Sequence, residues 1–496
     1  MIGFNLKEKI KELKKKNKPI PAEIFDLGIA FWLINPDEKE YTGEYLVPKY
    51  LHKEFDPSTS SGQGFSEEVL EELKKYAEDK LAEFEMKHVF YDLEMPLLKV
   101  LADMEINGIG LNKKKLADLD KQISKKISEL VQKIYKEAGE IFNINSPKQL
   151  SDILFNKLNI SIKGLKKTST GAISTNIETL EALKNEHEII GLILEYREIF
   201  KLQSTYIKPF QELVAKDGRI HTNYLQTGTV TGRLSSENPN MQNIPGGTEL
   251  SDKFRGCFEA EKGYEFISFD YSQIELRVLA SLSGDPKMID AFKRDLDIHK
   301  MTAAQVNNVP LDKVTPEMRS FAKTLNFGVV YGMGFVAFAK ASGLPAAEAK
   351  KFIAEYFDDF KEIKKWQEKV KEEARKNCFV SNLNGRRRWL LNIISSSQFL
   401  ASQSEREAIN MPVQSLAADI LKISMVKVYD YLVKRGWNND QVRMLLTIHD
   451  ELLFEVKSDI IKKVRADISE IMESAFKLSV PLKVSVETGK TWGEIK

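Results

Sequence analysis

The sequence predicts an α+β fold, and three observations carry this prediction. Apolar residues recur at helical spacing over most of residues 91–225 and 285–435. They alternate as in a strand in YEFISFD, residues 264–270. Two more apolar strands are predicted over residues 442–456, with His449 and Asp450 at the tight turn between them. Helices and strands are thus concentrated in separate parts of the chain, which is typical of the α+β class.

The composition indicates a globular protein in a reducing compartment. The chain has 496 residues, of which 42% are hydrophobic and 9% aromatic, and it is long enough for several domains. Its net charge of +1 neither favours nor excludes nucleic acid, because binding follows the local potential. The two cysteines, Cys257 and Cys378, form no disulfide or zinc pattern. Signal-peptide features and apolar stretches of ~20 residues are missing, so we expect a cytoplasmic protein without a membrane partner.

In chain order, residues 1–90 are predicted to form a small α/β region. It contains an apolar segment at 25–34, a loop at 56–64 and a charged amphipathic helix from Ser66 to Lys87. The basic run at residues 11–18 is interpreted as a solvated helix end rather than a binding patch. Residues 91–225 are predicted to be mostly helical, with a cap at Ser146, a polar loop at 166–175 and a helix over 178–206.

The remaining helices are predicted between and after the strands. Asp270 lies where the strand at 264–270 meets a helical pattern that runs to residue 282. Residues 285–404 return to helical spacing, and residues 405–435 form another long helix. Within 285–404, Thr315 and Pro316 are suited to begin a helix and Gly332 to end it.

One face of that last helix carries an unusual set of side chains. Arg319, Lys323, Phe327 and Tyr331 recur at every fourth residue. This spacing places them on one slowly winding stripe ~18 Å long. The two cations could hold a polyphosphate, and the two rings could meet a flat base. The alternative interpretation is a solvated cationic face beside two core aromatic residues, and the pattern by itself favours that alternative.

Two acidic residues lie at strand ends, and together they indicate a metal site. A carboxylate is costly in apolar surroundings unless it is paired or bound to a metal. Either Asp270 or Asp450 alone is more simply interpreted as a turn residue. Side by side at one sheet edge, they would suit Mg²⁺, which takes one or two carboxylates together with substrate phosphates.

The segment GTVTGRLSSENPNMQNIP, residues 228–245, is rich in Thr, Ser, Asn and Gln and contains one cation, Arg233. Such groups can donate hydrogen bonds to the nucleic acid backbone. They can also donate to minor-groove acceptors, which all base pairs present in similar form. A polar loop without a ligand is an equally good interpretation.

Six blocks in fixed order resemble the polymerase portion of DNA polymerase family A, the bacterial DNA polymerase I type. They are TVTGRLSSENPNMQNIP (229–245), FDYSQIELRVLA (269–280), DIHKMTA (297–303), RSFAKTLNFGVVYGMG (319–334), NMPVQSLAADI (410–420) and IHDELLFEV (448–456). The resemblance covers roughly residues 91–496 and implies a right-hand polymerase. It places the thumb at 91–225, the palm with its antiparallel sheet at 226–284 and 405–496, and the fingers at 285–404.

The resemblance also implies roles for the acidic residues. Asp270 and Asp450 match the metal-binding aspartates of the palm, and Glu451 matches the acidic neighbour of the second. Tyr271 would offer its backbone carbonyl to a metal. The implied cofactor is a pair of Mg²⁺ ions, with Mn²⁺ able to substitute. Lys323 would be placed as an acid toward the departing pyrophosphate.

Other matching residues would bind the incoming deoxynucleotide or the DNA. Glu275 would block a ribose 2′-hydroxyl, and Phe327 in place of Tyr implies discrimination against dideoxynucleotides. The full set of nucleotide-binding matches is Arg319, Lys323, Phe327, Tyr331, His449, Glu275 and Gln273. The matches along the primer–template duplex are Arg233, Asn240, Gln242, Asn243, Arg406, Asn410 and Gln414, with Lys201 as a thumb contact.

Residues 1–90 resemble the later part of the family's 3′–5′ exonuclease domain, but they depart from its pattern. In the family, G-x-N-L-K continues with an aromatic residue and an Asp. Here Glu8 and Lys9 follow Lys7, so a Lys stands where a metal-ligating carboxylate is expected. YAED at 76–79 only partly matches the final exonuclease motif. We therefore expect a degenerate, inactive exonuclease-like region and no proofreading.

The resemblance implies a template-directed DNA polymerase of replication or repair. It would act as a monomer on primer–template DNA and deoxynucleoside triphosphates. Two alternatives stay open: a DNA-binding protein that has lost its chemistry, and a polymerase that prefers RNA templates. An RNA polymerase is disfavoured by Glu275.

Overall fold

The computed structural model describes residues 1–53, 65–161 and 173–495. The chain divides into two compact units. The first comprises Met1–Gly108, Thr222–Gln242 and Gly263–Thr488, and the second comprises Ile109–His221, Asn243–Lys262 and Gly489–Lys496. The loop predicted at 56–64 lies outside the described residues, as do residues 166–172 of the loop predicted at 166–175. The assignment of thumb, palm and fingers stays a prediction.

Helices dominate both units. The chain opens with α1 Leu6–Lys15, α2 Leu27–Ile34, α3 Gly43–Leu51, α4 Glu67–Glu83 and α5 Met95–Asn107. The second unit contains α6 Lys113–Ala138, α7 Pro147–Ser151, α8 Ile177–Ala182, α9 Glu188–Lys201, α10 Lys208–Leu213 and α11 Glu249–Arg255. Then follow α12 Ile274–Ser283, α13 Pro286–Lys293, α14 Ile298–Val306, α15 Pro316–Val330, α16 Phe335–Ser342, α17 Ala346–Asp359, α18 Lys361–Asn377, α19 Gln398–Arg435 and α20 Ile461–Glu473. Of the helices in the described ranges, none has the length and apolar character needed to cross a membrane.

The strands are fewer and mostly short. They are β1 Ile2–Gly3, β2 Phe25–Asp26, β3 Ile109–Gly110, β4 Arg219–Ile220, β5 Asn223–Leu225, β6 Ser235–Glu237, β7 Tyr264–Tyr271, β8 Phe379–Ser381, β9 Arg387–Trp389, β10 Val442–Ile448, β11 Glu451–Lys457 and β12 Val484–Gly489. One sheet has four strands in the order β10-β11-β7-β12, and its β10–β11 and β11–β7 pairs are antiparallel. The α+β prediction is therefore confirmed.

The four-stranded sheet lies in the main core of the first unit. Phe269 of β7 and Phe454 of β11 are fully buried, and their rings meet edge to face with centroids 5.6 Å apart. The long helix α19 contributes buried residues to the same core along most of its length. The end of β7 and the β10–β11 turn are thus held on a packed base, which is the condition for a rigid site.

The N-terminal residues form a second apolar core within the first unit. All eight residues of α2 are buried, which accounts for the apolar segment noted at 25–34. Asp26 begins this helix: its carboxylate accepts hydrogen bonds from the backbone N–H of Ile29 at 3.1 Å and of Leu6 at 2.8 Å. Buried residues of α4 and α5 complete the core. The described residues of the region 1–90 are therefore well packed.

Three predicted elements differ from the observed ones. The helix predicted over 178–206 is interrupted after α8, and α9 begins anew where the imidazole of His187 accepts from the N–H of Ile189 at 3.1 Å. The region 285–404 contains the hairpin β8–β9, whose turn uses Gly385 at a φ of 79°. Helix α19 begins at Gln398 rather than at residue 405. The first two differences arise at a local turn or cap that helical periodicity does not report.

The basic run at residues 11–18 is not wholly a solvated helix end, so that prediction is wrong for two of its lysines. Lys11 donates to the carboxylate of Glu105 at 2.7 Å, and Lys14 donates to Asp103 at 2.5 Å. Both acids are buried on α5. The partners lie 94 and 89 positions away in sequence, so the local charge pattern could not reveal them.

Candidate active site

The two aspartates predicted to bind metal lie side by side at one edge of the four-stranded sheet. Asp270 is the second-last residue of β7 and pairs across the sheet with Glu451, the first residue of β11. The backbone N–H of Tyr271 donates to the carbonyl of Asp450 at 3.2 Å. Because Asp450 occupies the β10–β11 turn, this register brings the end of β7 next to that turn.

Burial and like charge raise the pKa of both carboxyls. Loss of hydration and the charge of Asp270 raise the pKa of Asp450 to about 6, although Arg233 opposes the shift. Partial loss of hydration, with the charges of Glu451 and Glu487, raises the pKa of Asp270 to about 6, even though this residue is exposed to solvent. Two carboxylates that repel each other in such a place are stabilised by a cation.

The oxygen donors present suit a hard divalent cation. The hydroxyl of Tyr271 hydrogen-bonds Ser424 and the carbonyl of Met472, both at 2.6 Å, so its ring is turned into the core and its main chain stays beside the two aspartates. Mg²⁺ prefers carboxylate and carbonyl oxygens, and it takes its other ligands from water and substrate phosphates. Within the described ranges, no group of three or more His, Cys, Asp or Glu could hold a metal ion by itself. A cation here would therefore share its coordination with a substrate.

A cavity of about 430 Å³ opens beside the aspartates. It is lined by every residue predicted to bind nucleotide, together with Arg233, Asp270 and Asp450. Glu451 is not among the residues that line the cavity, and its carboxylate accepts from the hydroxyl of Ser268 at 2.5 Å. The cavity thus has an acidic wall from the sheet and a second wall from α15.

Helix α15 begins where the sequence predicts. The hydroxyl of Thr315 accepts from the N–H of Met318 at 3.3 Å, and Pro316 is its first residue. Arg319 lies one turn inside the helix, and its Nε donates to Asp297 at 2.7 Å. Lys323 is exposed toward the cavity. The stripe is therefore the cationic and aromatic wall of a cavity and not merely a solvated surface.

Glu275 is fixed through both of its carboxylate oxygens. It is 4% exposed, and it accepts from the guanidinium of Arg233 at 2.5 Å and from the hydroxyl of Tyr331 at 2.9 Å. Burial raises the pKa of Glu275, whereas the charge of Arg233 opposes this shift. Burial and the neighbouring carboxylate raise the pKa of Tyr331 to about 12, so its hydroxyl stays protonated at neutral pH. Glu275 is therefore a rigid part of the cavity wall.

Two lining residues were missed by the sequence analysis, Ile274 and His299. Burial lowers the pKa of His299 to about 4, so its ring is neutral at physiological pH. The side-chain amide nitrogen of Asn326 lies 3.0 Å from Nδ1 of His299, and since an amide nitrogen can only donate, the ring proton belongs on Nε2. His299 belongs to the block DIHKMTA, so the resemblance to the family could have identified it as a site residue.

Apart from Arg233, which lines the cavity, the residues predicted along the DNA duplex lie on other surfaces. In the first unit, the side chain of Asn240 accepts from the N–H of Gln242 at 3.0 Å, and the side chain of Gln242 donates to the carbonyl of Thr447 at 3.2 Å. In the second unit, Lys201 and Asn243 are exposed. These residues stay predicted contacts.

Three more of these residues share one face of α19. Arg406, Asn410 and Gln414 follow one another at four-residue spacing. Gly332, at a φ of 63°, lies against this face, since a Cβ there would be 3.4 Å from Cγ of Arg406. The side-chain oxygens of Asn410 and of the cavity residue Gln273 are buried without a hydrogen-bond partner. Buried acceptors without a hydrogen-bond partner are rare in folded proteins.

Comparison with known proteins identifies the family. The sequence profile described as DNA polymerase family A matches residues 113–494. DNA polymerase I of Caldicellulosiruptor bescii is 39% identical over the whole chain, and the thermostable DNA polymerase I of Thermus thermophilus is 43% identical over 82% of it. These matches cover 58% and 48% of the respective relatives, so the chain spans about half the length of the curated relatives it matches. The chain belongs to DNA polymerase family A.

A solved structure agrees with this assignment. The POL domain of Pol1 from M. smegmatis, in complex with DNA primer-template and dNTP, superimposes with a TM-score of 0.93. It is 34% identical, and the match covers 99% of this chain and 86% of that one. The right-hand polymerase fold expected from the resemblance is therefore confirmed.

Proposed function

We propose that this chain is a template-directed DNA polymerase that adds deoxynucleotides to a primer 3′ end. One observation carries the proposal: a single cavity joins paired aspartates on a sheet edge to the cations and rings of α15. Asp270 and Asp450 could bind metal ions that contact the phosphates, and Arg319 and Lys323 on the opposite wall could bind the triphosphate. Phosphoryl transfer requires this arrangement. The names of the relatives, and the primer-template and dNTP in the structural neighbour, support the same activity.

We further propose that Asp270, Asp450 and the main-chain carbonyl of Tyr271 hold two Mg²⁺ ions, or Mn²⁺ in their place. Bound ions would favour the ionised form of the attacking hydroxyl and neutralise charge on the phosphates. The carboxyls themselves must be ionised to bind them. Since the pKa of each is about 6, the site gains its full charge only above that pH.

The remaining chemistry falls to the walls of the cavity. The primer hydroxyl loses its proton to solvent, its oxygen forms a bond to the α-phosphorus, and the bond between that phosphorus and the pyrophosphate oxygen breaks. Arg319 and Lys323 hold the triphosphate. The triphosphate competes with the carboxylate of Asp297 for the guanidinium of Arg319. Lys323 gives a proton to the departing pyrophosphate. His449 and the neutral ring of His299 complete the phosphate-facing side.

Selection of the sugar depends on Glu275, Phe327 and Tyr331. Glu275 cannot swing aside without breaking its bonds to Arg233 and Tyr331, so it excludes a ribose 2′-hydroxyl. Phe327 and Tyr331 would pack on the base and sugar. We expect dideoxynucleotides to be incorporated less readily than deoxynucleotides. A competition assay in which both are incorporated equally would contradict this assignment.

The proposed enzyme binds primer–template DNA as a monomer and does not proofread. The residues expected to contact DNA are Arg233, Asn240, Gln242, Asn243, Lys201, Arg406, Asn410 and Gln414.

In the exonuclease-like region, Lys9 pairs with Glu12 at the surface at 3.4 Å, at the position where a metal-ligating carboxylate would be needed. Incubation of a single-stranded oligonucleotide with enzyme and Mg²⁺, without nucleotides, should leave its 3′ end intact. Metal-dependent shortening would show that a nuclease survives.

The test of the polymerase proposal is extension of a labelled primer on a DNA template. Wild-type chain with Mg²⁺ and four deoxynucleotides should extend the primer, and Asp450→Asn should not. Asp290→Asn, on the exposed surface of α13, serves as the matched carboxamide control and should extend normally. Duplex binding without extension by any protein would mean a binding protein without chemistry. Extension on an RNA template alone would favour a reverse transcriptase.

A further inference from the structure

The Arg233 loop, residues 226–234, connects β5 to β6 and ends at the cavity. Arg233 reaches Glu275 from this loop, in the ion pair already described. A connection of this length between two three-residue strands has little sheet structure to hold it. The position of the guanidinium therefore depends on what the rest of the loop contacts.

A tryptophan from the N-terminal region, residues 1–90, contacts the loop directly. Trp32 of α2 is 1% exposed, and its indole N–H donates to the carbonyl of Thr229 at 2.9 Å. The hydroxyl of Thr229 in turn donates to the carbonyl of Arg233 at 2.8 Å. Two hydrogen bonds in series thus connect the indole of Trp32 to the main chain of Arg233.

Two buried cations lie beside the same indole ring. The guanidinium of Arg386 lies 4.9 Å from the centre of the Trp32 ring, and the ammonium of Lys422 lies 5.1 Å from it. Arg386 also packs closely against the loop, since a Cβ added at Gly232 would lie 2.8 Å from the Nε of Arg386. Cations over an indole face restrict the ring, so the direction of its N–H is defined.

A buried acid anchors the start of the same loop. Glu94 is fully buried and forms ion pairs with Arg386 and Lys422. Its carboxylate accepts from the side-chain amide of Gln226 at 2.6 Å. The beginning, the middle and the end of the loop are therefore attached to one buried group of charges around Trp32.

We propose that Trp32 is a positioning residue for Arg233. It holds Thr229, and through Thr229 the main chain of Arg233, at the place from which the guanidinium meets Glu275. Through this contact the N-terminal region takes part in DNA synthesis, independently of any nuclease chemistry. The effect on catalysis rests on the polymerase function proposed above, whereas the effect on the loop does not.

The test uses Trp32→Phe, which keeps an aromatic ring beside the cations, removes the N–H and makes the side chain smaller. Trp389→Phe is the matched control, because its indole N–H donates at the same 2.9 Å to the carbonyl of Ile34, the last residue of α2. Hydrogen–deuterium exchange is measured on peptides that cover residues 226–234. Faster exchange there in Trp32→Phe, but not in Trp389→Phe, is the expected result. Equal exchange in wild type and Trp32→Phe would overturn the proposal, whether or not the chain is active.

A double-mutant cycle measures the catalytic part. Trp32→Phe should lower kcat/KM for the correct deoxynucleotide by about fivefold, as expected for one lost hydrogen bond. In an Arg233→Ala background the same change should have no further effect, since Trp32 would act only through Arg233. An equal loss in both backgrounds would show that Trp32 acts elsewhere and would overturn the proposal. If the wild-type chain extends no primer, the polymerase proposal fails, and the exchange experiment still decides the positioning role.

Discussion

At the scale of single residues, the charges that suit the cavity for a cation oppose folding when no cation is bound. Asp450 has a pKa of about 6 in the folded chain, against an ordinary value of 3.8. The folded state therefore binds this proton more tightly than the unfolded state does. The stability that the protonated form provides is complete below about pH 4 and is lost as the pH rises through about 6.

Asp450→Asn should therefore raise the free energy of unfolding while it abolishes extension. In metal-free buffer near pH ~8 we expect a gain of about 1 kcal/mol, because the neutral amide avoids the cost of burying a charge and also removes the repulsion with Asp270. Near pH ~4 the gain should vanish, because the wild-type carboxyl is then protonated. Urea unfolding with EDTA at both pH values measures the difference. A variant less stable than wild type at the higher pH would argue against repulsion between the aspartates.

At the scale of elements, α15 must keep its first turn intact for Arg319 to face the cavity. The helix starts at a side-chain cap from Thr315, one turn before Arg319. The ion pair between Arg319 and Asp297 links the same turn to the start of α14, where Asp297 also caps the backbone N–H of His299 at 3.0 Å. The cap and the ion pair thus set the position of the triphosphate-facing cation.

Thr315→Ala should weaken this arrangement. We expect a loss of about 1 kcal/mol in helix stability, as is usual when a cap is removed. Fraying of the first turn should raise KM for deoxynucleotides and leave kcat nearly unchanged, since Lys323 lies a turn deeper in the helix. Thr315→Ser keeps the hydroxyl and should match wild type. Steady-state extension kinetics of the three proteins test this, and equal KM values would show that the cap does not position Arg319.

At the scale of the whole molecule, a buried charge cluster ties distant segments of the first unit together. It consists of Glu94, Arg386, Asp419 and Lys422, none of which is more than 3% exposed. The Nε of Arg386 donates to Asp419 at 2.8 Å, and Lys422 donates to Glu94 at 2.7 Å. The partners of Glu94 lie 292 and 328 positions away in sequence. If Glu94 is neutralised, Arg386 and Lys422 each lose a negatively charged partner and stay buried.

Glu94→Gln should accordingly destabilise the first unit by about 3 kcal/mol, the usual effect of removing one partner from a buried ion pair. Glu249→Gln, which breaks the exposed pair with Lys253, should leave unfolding unchanged. Urea unfolding followed by circular dichroism compares the two variants with wild type. If Glu94→Gln unfolds with the wild-type midpoint, the cluster contributes specificity rather than stability.

Much of the site could be predicted because its signals are local. The alternation ending at Asp270 gives a strand, the turn at Asp450 separates two apolar runs, and four-residue spacing puts Arg319 and Tyr331 on one face of a helix. Periodicity, caps and turns involve only near neighbours, so they are visible in the sequence. The ordered blocks then connected these pieces to family A.

The sequence by itself therefore determined the α+β class, the main helices, the acidic strand ends and the family. Only the tertiary structure decided which groups meet across the chain. It paired Arg233 with Glu275, buried Glu105 against Lys11, made His299 neutral and brought Trp32 to Thr229. These contacts join residues from 42 to 197 positions apart or arise from burial, and neither a contact between distant residues nor loss of hydration is visible in local residue spacing.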